Sequence, residues 1–119
     1  MRVLIIDDNE QLRMGIAEIL ELKDHEPLVA ADGLQGVEIA IQFQPDIIFC
    51  DMQMPVLDGY ETLREMRNNP KTANIPFIIL TGKSLSDELS KIKEAGFDDW
   101  LSKPFAYEDL FAIIDSYRP

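Results

Sequence analysis

The stretch Ile47-Ile48-Phe49-Cys50-Asp51-Met52-Gln53-Met54-Pro55-Val56-Leu57-Asp58-Gly59 changes character twice within thirteen residues. Its first four residues are apolar and rich in β-branched or aromatic side chains, as suits a strand buried on both faces of a parallel sheet. The run stops at an acid and passes Pro55, whose ring fixes φ and which has no N–H to donate. It then reaches Asp58-Gly59, where the aspartate is placed to cap a following helix and the glycine to serve backbone geometry. A buried strand, an acid at its end and a helix start make one β-α unit.

The rest of the chain repeats that unit. Val3-Leu4-Ile5-Ile6, Leu28-Val29-Ala30 and Phe77-Ile78-Ile79-Leu80 are further strand-like runs, and Trp100-Leu101 is a short fifth, placed mostly by its position. Between and after them lie apolar stripes at helical spacing: Leu12, Ile16, Ile19 and Leu20; Leu34, Val37 and Ile41; Tyr60, Leu63 and Met66; Leu85, Leu89 and Ile92; Tyr107, Leu110, Ile114 and Tyr117. Asn68-Asn69-Pro70 closes the third helix. Ser86 reads as the cap of the fourth, with Asp87-Glu88 in its first turn and Gly96 beyond its end. Five β-α repeats predict an α/β fold with helices on both sheet faces, in one domain spanning residues 1–119.

Composition narrows the function. Apolar runs such as Phe77–Leu80 fall far short of the ~20 residues a membrane-spanning helix needs. Met1-Arg2 leads straight into a short run and then Asp7-Asp8, which does not read as a signal peptide. The single cysteine, Cys50, cannot form an internal disulfide and fits a reducing cytoplasm. Eleven Lys and Arg against 22 Asp and Glu give a net charge of −11. Such a surface is expected to bind neither nucleic acid nor anionic membranes, since both demand cationic side chains.

What ends each run carries the chemistry. The first ends in Asp7-Asp8, the third in Asp51, the fourth in Thr81, and the fifth reaches Lys103 after Ser102. In a parallel sheet these ends share one edge, the edge where open α/β folds bind their ligands. Three carboxylates, a hydroxyl and an ammonium are therefore expected to meet. Clustered carboxylates raise one another's pKa unless a cation joins them, and Mg²⁺, a hard ion that takes oxygen ligands, suits the set. Aspartate is a known covalent nucleophile toward phosphoryl groups, and phosphoryl transfer asks a protein chiefly for positioning and charge neutralisation.

Asp7-Asp8, then Asp51-Met52-Gln53-Met54-Pro55-Val56-Leu57-Asp58-Gly59, then Thr81-Gly82, then Lys103-Pro104-Phe105 resemble the receiver domain of two-component response regulators. The likeness runs from Arg2 to about Tyr117, and the combination is specific where each piece alone is weak. It implies a (βα)5 doubly wound, five-stranded parallel sheet of the flavodoxin-like kind, with strand order 2-1-3-4-5. It implies that Asp51 accepts a phosphoryl group from a histidine kinase or histidine phosphotransfer protein. Asp8 and Asp51 would hold Mg²⁺ directly, with the backbone carbonyl of Gln53, and Asp7 would act through bound water. Lys103 would pair with a phosphate oxygen, across a cis bond to Pro104. Thr81 would turn toward the phosphoryl group, and Trp100 would move inward, remodelling the face of the fourth helix, fifth strand and fifth helix toward an unidentified output protein or domain. Such a domain takes part in its own phosphorylation and hydrolysis and has no external substrate. The resemblance further implies that Gln53 and Lys83 would flank the route of attacking water and tune the lifetime of the phosphoryl bond.

Other readings compete with this one. A flavodoxin-like cofactor binder would need a Ser/Thr/Gly-rich phosphate loop where Asp7-Asp8 stand. A haloacid-dehalogenase-type phosphatase would need a second Asp at the position of Gln53. The alternative that remains is a phosphorylation-independent pseudo-receiver acting as an interaction module, with a phosphorelay intermediate as a variant of the main reading. Outside the cluster, His25 reads as structural, Cys50 as core, and Met52 and Met54 as loop packing. The fifth helix lacks the Arg that pairs with strand-five acids in one receiver dimer, although Asp98-Asp99 are present. Phe111 and Ile113 are expected to be exposed and to mark a different surface.

Overall fold

The computed structural model describes residues 1–82 and 85–118, and their side chains except at 85–88. Strands and helices alternate throughout: β1 (Arg2–Ile6), α1 (Glu10–Leu22), β2 (Glu26–Ala30), α2 (Gly33–Phe43), β3 (Ile47–Asp51), α3 (Gly59–Arg67), β4 (Phe77–Thr81), α4 (Leu85–Ala95), β5 (Asp99–Ser102) and α5 (Tyr107–Ser116). The strands form one parallel sheet in the order β2-β1-β3-β4-β5. The first crossover moves to one side of β1 and the later ones to the other, which places the reversal of strand order between β1 and β3, where Asp7 and Asp51 stand.

Because side chains alternate across a strand, the uninterrupted apolar runs feed two cores. Leu4, Ile6, Ile48, Cys50, Phe77 and Ile79 pack beneath α2, α3 and α4 with Ala40, Leu63, Met66 and Ile92. Val3, Ile5, Ile47, Phe49, Ile78, Leu80 and Leu101 pack beneath α1 and α5 with Ile16, Leu20, Leu110 and Ile114. All of β4 is buried, so its run carries no alternation.

The caps explain why the helices begin where they do. Asn9 accepts from the N–H of Leu12, and Asp32 accepts from that of Gln35. Asp58 and Glu61 form a reciprocal capping box at α3 (2.8 and 3.0 Å), as the Asp58-Gly59 reading anticipated. Gly59 is required by close approach: a Cβ there would lie 2.6 Å from Ile79 Cδ1 and 3.1 Å from the Asp51 carbonyl oxygen.

Three local expectations are corrected. The buried face of α2 consists of Gly33, Gly36 and Ala40, while Leu34 is 50% exposed. Here α2 lies so close to β1 that Ile6 fills the space a side chain at Gly36 would need. The helix α4 begins at Leu85, so Ser86 lies in its first turn and is not its cap. Phe111 and Ile113 are half-buried against the α1–α5 core, and the Phe111 ring stacks on His25 at 6.1 Å. Lys83 lies outside the described residues.

Candidate functional site

The carboxyl ends of β1, β3, β4 and β5 carry the predicted residues. Asp7 and Asp8 follow β1, Asp51 and Thr81 are the last residues of β3 and β4, and Lys103 follows β5. One carboxylate oxygen from each of Asp7, Asp8 and Asp51 lies within 4.8 Å of the others, the one group of potential metal ligands of this kind among the described residues.

Asp7 is wholly buried and held at every polar group. Its N–H donates to the Ala30 carbonyl (3.1 Å), and its Oδ1 accepts from the Asn9 N–H (2.9 Å). Its Oδ2 accepts from Lys103 Nζ (2.8 Å), and its carbonyl accepts from an Arg13 guanidinium nitrogen (2.8 Å). Lys103 Nζ also stands 3.3 Å from Asp51 Oδ1, so one ammonium bridges two of the three carboxylates. Asp8 is exposed and makes no hydrogen bond or ion pair with the described residues.

Backbone bonds set the Asp51 and Lys103 loops. The Met52 N–H donates to the Leu80 carbonyl (3.0 Å), and the Gly59 N–H returns to the Met52 carbonyl (2.8 Å). The Lys103 N–H donates to the Thr81 carbonyl (2.7 Å), and the Lys103–Pro104 peptide is cis. Met52 and Met54 pack into the α2–α4 core, as loop packing required.

Electrostatics leave the cluster short of positive charge. Burial, then the neighbouring Asp7 charge, push Asp51 above the ordinary carboxylate range, with Lys103 pulling the other way. Burial works against the Lys103 charge. The hydrogen bond and attraction of Asp7, reinforced by Asp51, outweigh it and raise that pKa. Three acids with one lysine between them are a donor set of hard oxygens with net negative charge, which fits a divalent cation such as Mg²⁺.

The remaining predicted residues stand differently. Thr81 is buried beside the cluster, and Gln53 is exposed in the β3–α3 loop. Trp100 stands apart on β5, opposite Ile79, half-buried against the α2–α4 core with Lys93 Nζ 5.9 Å from its ring centroid. His25 makes its contacts elsewhere: its Nδ1 lies 3.3 Å from the Met1 amine, and burial, then that amine, lower its pKa. Cys50 is buried, and burial, then the Asp51 charge, drive its thiol pKa up. Arg13 had no signal in the sequence, since a lone arginine in a first helical turn has many uses.

Comparison with known proteins places this geometry. The family model described as "Response regulator receiver domain" matches residues 3–115. The DNA-binding dual master transcriptional regulator RpaA of Synechocystis is 34% identical over 113 residues, which are 95% of this chain and 47% of that protein. This chain thus spans about half the length of that relative. The structure of the Vibrio cholerae chemotaxis protein CheY4 superposes with a TM-score of 0.91 at 28% identity, covering 98% of both chains. The receiver domain of the Pseudomonas aeruginosa sensor histidine kinase PA1611, solved with magnesium coordinated in its active-site cleft, gives 0.88 at 32% identity over 98% of this chain and 95% of that one. A DNA-binding protein among the relatives leaves the charge-based expectation of no nucleic-acid partner unsupported. Among the described residues, no helix is long and apolar enough to cross a membrane.

Proposed function

The chain belongs to the response regulator receiver domain family of two-component signalling, and we propose that Asp51 is its phosphoacceptor. The observation that carries the reading is the convergence of Asp7, Asp8 and Asp51 around a site that Lys103 already enters. The donor is the phosphohistidine of a histidine kinase or histidine phosphotransfer protein. An Asp51 carboxylate oxygen attacks phosphorus, a P–O bond forms, and the P–N bond to the donor imidazole breaks with its electron pair going to the ring nitrogen. Water later reverses the modification by hydrolysis of the acyl phosphate.

Each residue has a defined task. Asp8 and Asp51, with the Gln53 carbonyl, would hold Mg²⁺ and Asp7 would act through bound water; the ion would supply the charge neutralisation that lets an ionised Asp51 meet an anionic phosphoryl group. Lys103 follows the developing negative charge from the Asp51 carboxylate to a phosphoryl oxygen, a short move for an ammonium already 3.3 Å away. The Thr81 hydroxyl donates to another phosphoryl oxygen. Trp100, packed against the α2–α4 core on the neighbouring strand, repacks in response, and the α4–β5–α5 face passes the change to an output protein or domain. The domain works in the cytoplasm and acts on no external metabolite. The phosphorylation-independent alternative is not favoured, because every side chain the chemistry requires is present at the same edge.

Intact mass after incubation with acetyl phosphate and Mg²⁺ tests the reading. One phosphoryl adduct is expected, lost on chelation of the metal and lost in Asp51→Asn. An adduct of equal yield in Asp51→Asn would overturn the assignment.

A further inference from the structure

The acids of the cluster are not held alike. Asp7 is fixed at its N–H, its carbonyl and both carboxylate oxygens, whereas the Asp8 side chain is exposed and has no hydrogen-bond partner among the described residues. The placement of Asp8 therefore depends on the backbone that precedes it. That backbone is the peptide unit whose carbonyl belongs to Asp7 and whose N–H belongs to Asp8. β1 ends at Ile6, so the Asp7 carbonyl lies beyond the described strand. It accepts instead from the Arg13 guanidinium at 2.8 Å, reaching back from α1.

We infer that Arg13 is a positioning residue for divalent-cation binding: by holding the Asp7–Asp8 peptide plane it aims the Asp8 carboxylate at the space shared with Asp7 and Asp51. The inference rests on the reading of that cluster as a Mg²⁺ site and adds to it a residue outside the ligand set. A charge-assisted hydrogen bond to a carbonyl is among the stronger single contacts a side chain can make. Residues that orient ligands without touching the ion typically contribute 10–100-fold in affinity.

The sign of the effect of removing Arg13 separates positioning from simple electrostatics. Arg13 is a cation near a cation site, so on electrostatic grounds alone its removal strengthens metal binding. Positioning predicts the reverse. It also predicts ion selectivity, because Mg²⁺ demands near-octahedral geometry while Ca²⁺ accepts irregular shells. A misaimed Asp8 harms Mg²⁺ binding more than Ca²⁺ binding.

The test is calorimetric titration of the whole 119-residue chain with MgCl₂ and with CaCl₂, in wild type, Arg13→Gln and Arg13→Lys, each checked for fold by its urea midpoint. Arg13→Gln should weaken Mg²⁺ about tenfold or more and Ca²⁺ distinctly less. Arg13→Lys, which keeps the charge and one donor, should recover part of the loss. Unchanged or tighter Mg²⁺ binding by a folded Arg13→Gln protein, or equal losses for both ions, overturns the positioning role while the cluster reading survives. Absence of Mg²⁺ binding by wild type overturns both. Should Arg13→Gln fail to fold, Arg13→Lys decides: a selective partial loss of Mg²⁺ supports the role, and wild-type binding of both ions refutes it.

Discussion

Asp98, just ahead of β5, is the place to test how the sheet holds its site. Its N–H donates to the Phe77 carbonyl (3.0 Å), and its Oδ2 accepts the Phe77 N–H in return (2.7 Å), closing a ring across the start of β4. The same Oδ2 accepts from Arg67 (2.9 Å), and Arg67 also donates to the Ala73 and Ile75 carbonyls at 3.1 and 2.8 Å. Asp98→Ala removes the acceptor of a backbone N–H on a fully buried residue, and leaving such a donor unsatisfied costs about 1–3 kcal/mol. The ion pair adds little, because its side chains are 29% and 38% exposed and pairs of that kind contribute less than about 1 kcal/mol. A loss of about 2–3 kcal/mol follows, or a fall in melting temperature of roughly 10 °C for a domain of this size. Asp98→Asn retains an acceptor oxygen and should lose only about half as much. Thermal and urea melts measure both, with an unchanged urea slope confirming that only the native state is affected. Because the backbone bond dominates, the Ala deficit should persist in high salt, where an exposed ion pair is screened. A deficit that vanishes in salt, or equal losses for Ala and Asn, would show that the ion pair and not the backbone bond holds β4 here.

Other consequences follow from the close contacts and from the acid cluster. Gly33→Ala places a Cβ 2.2 Å from Thr62 Oγ1 and 2.9 Å from the Leu57 carbonyl oxygen, so urea melts should show a loss of about 1–3 kcal/mol despite the better helix propensity of Ala. Asp51 binds its proton more tightly folded than unfolded, so the native state loses stability as pH rises from the ordinary value of 3.8 through the raised one. Asp51→Asn should therefore be the more stable protein at neutral pH without metal, its advantage shrinking on acidification; a constant difference from pH 7 to below the ordinary carboxylate pKa contradicts this. Lys103→Ala should still accept a phosphoryl group from acetyl phosphate at reduced yield, while the Trp100 fluorescence change on phosphorylation disappears; a full-sized change removes Lys103 from the response.

The strands and the acids at their ends were legible for the same reason. A strand buried on both faces admits almost only apolar, β-branched residues, so an acid such as Asp51 at its end is conspicuous. The half-exposed β5 offers no such contrast, and Lys103 was reached through its position and the Pro104 that follows. The Asp58 cap was legible because capping is local chemistry. The buried face of α2 was not: Gly33, Gly36 and Ala40 carry almost no hydrophobic signal, and the larger Leu34 misdirects the eye toward solvent. Phe111 was misplaced because its partner His25 is 86 residues away, and only the fold stacks them. The Arg67–Asp98 tie and the Arg13 bond to the Asp7 carbonyl join elements through atoms that no spacing rule relates. The cluster itself was readable because topology alone, five repeats of one β-α unit, sends its members to one edge.

Phosphorylation of Asp51 can be read out at the residue itself. Protein treated with acetyl phosphate and Mg²⁺ is reduced with borohydride, which converts an aspartyl phosphate to homoserine, and its peptides are sequenced by mass spectrometry. Homoserine is expected at position 51, absent when Mg²⁺ is chelated and absent from unphosphorylated protein. Homoserine at Asp7 or Asp8 in place of position 51 would contradict it, as would a phosphoryl adduct that leaves Asp51 intact.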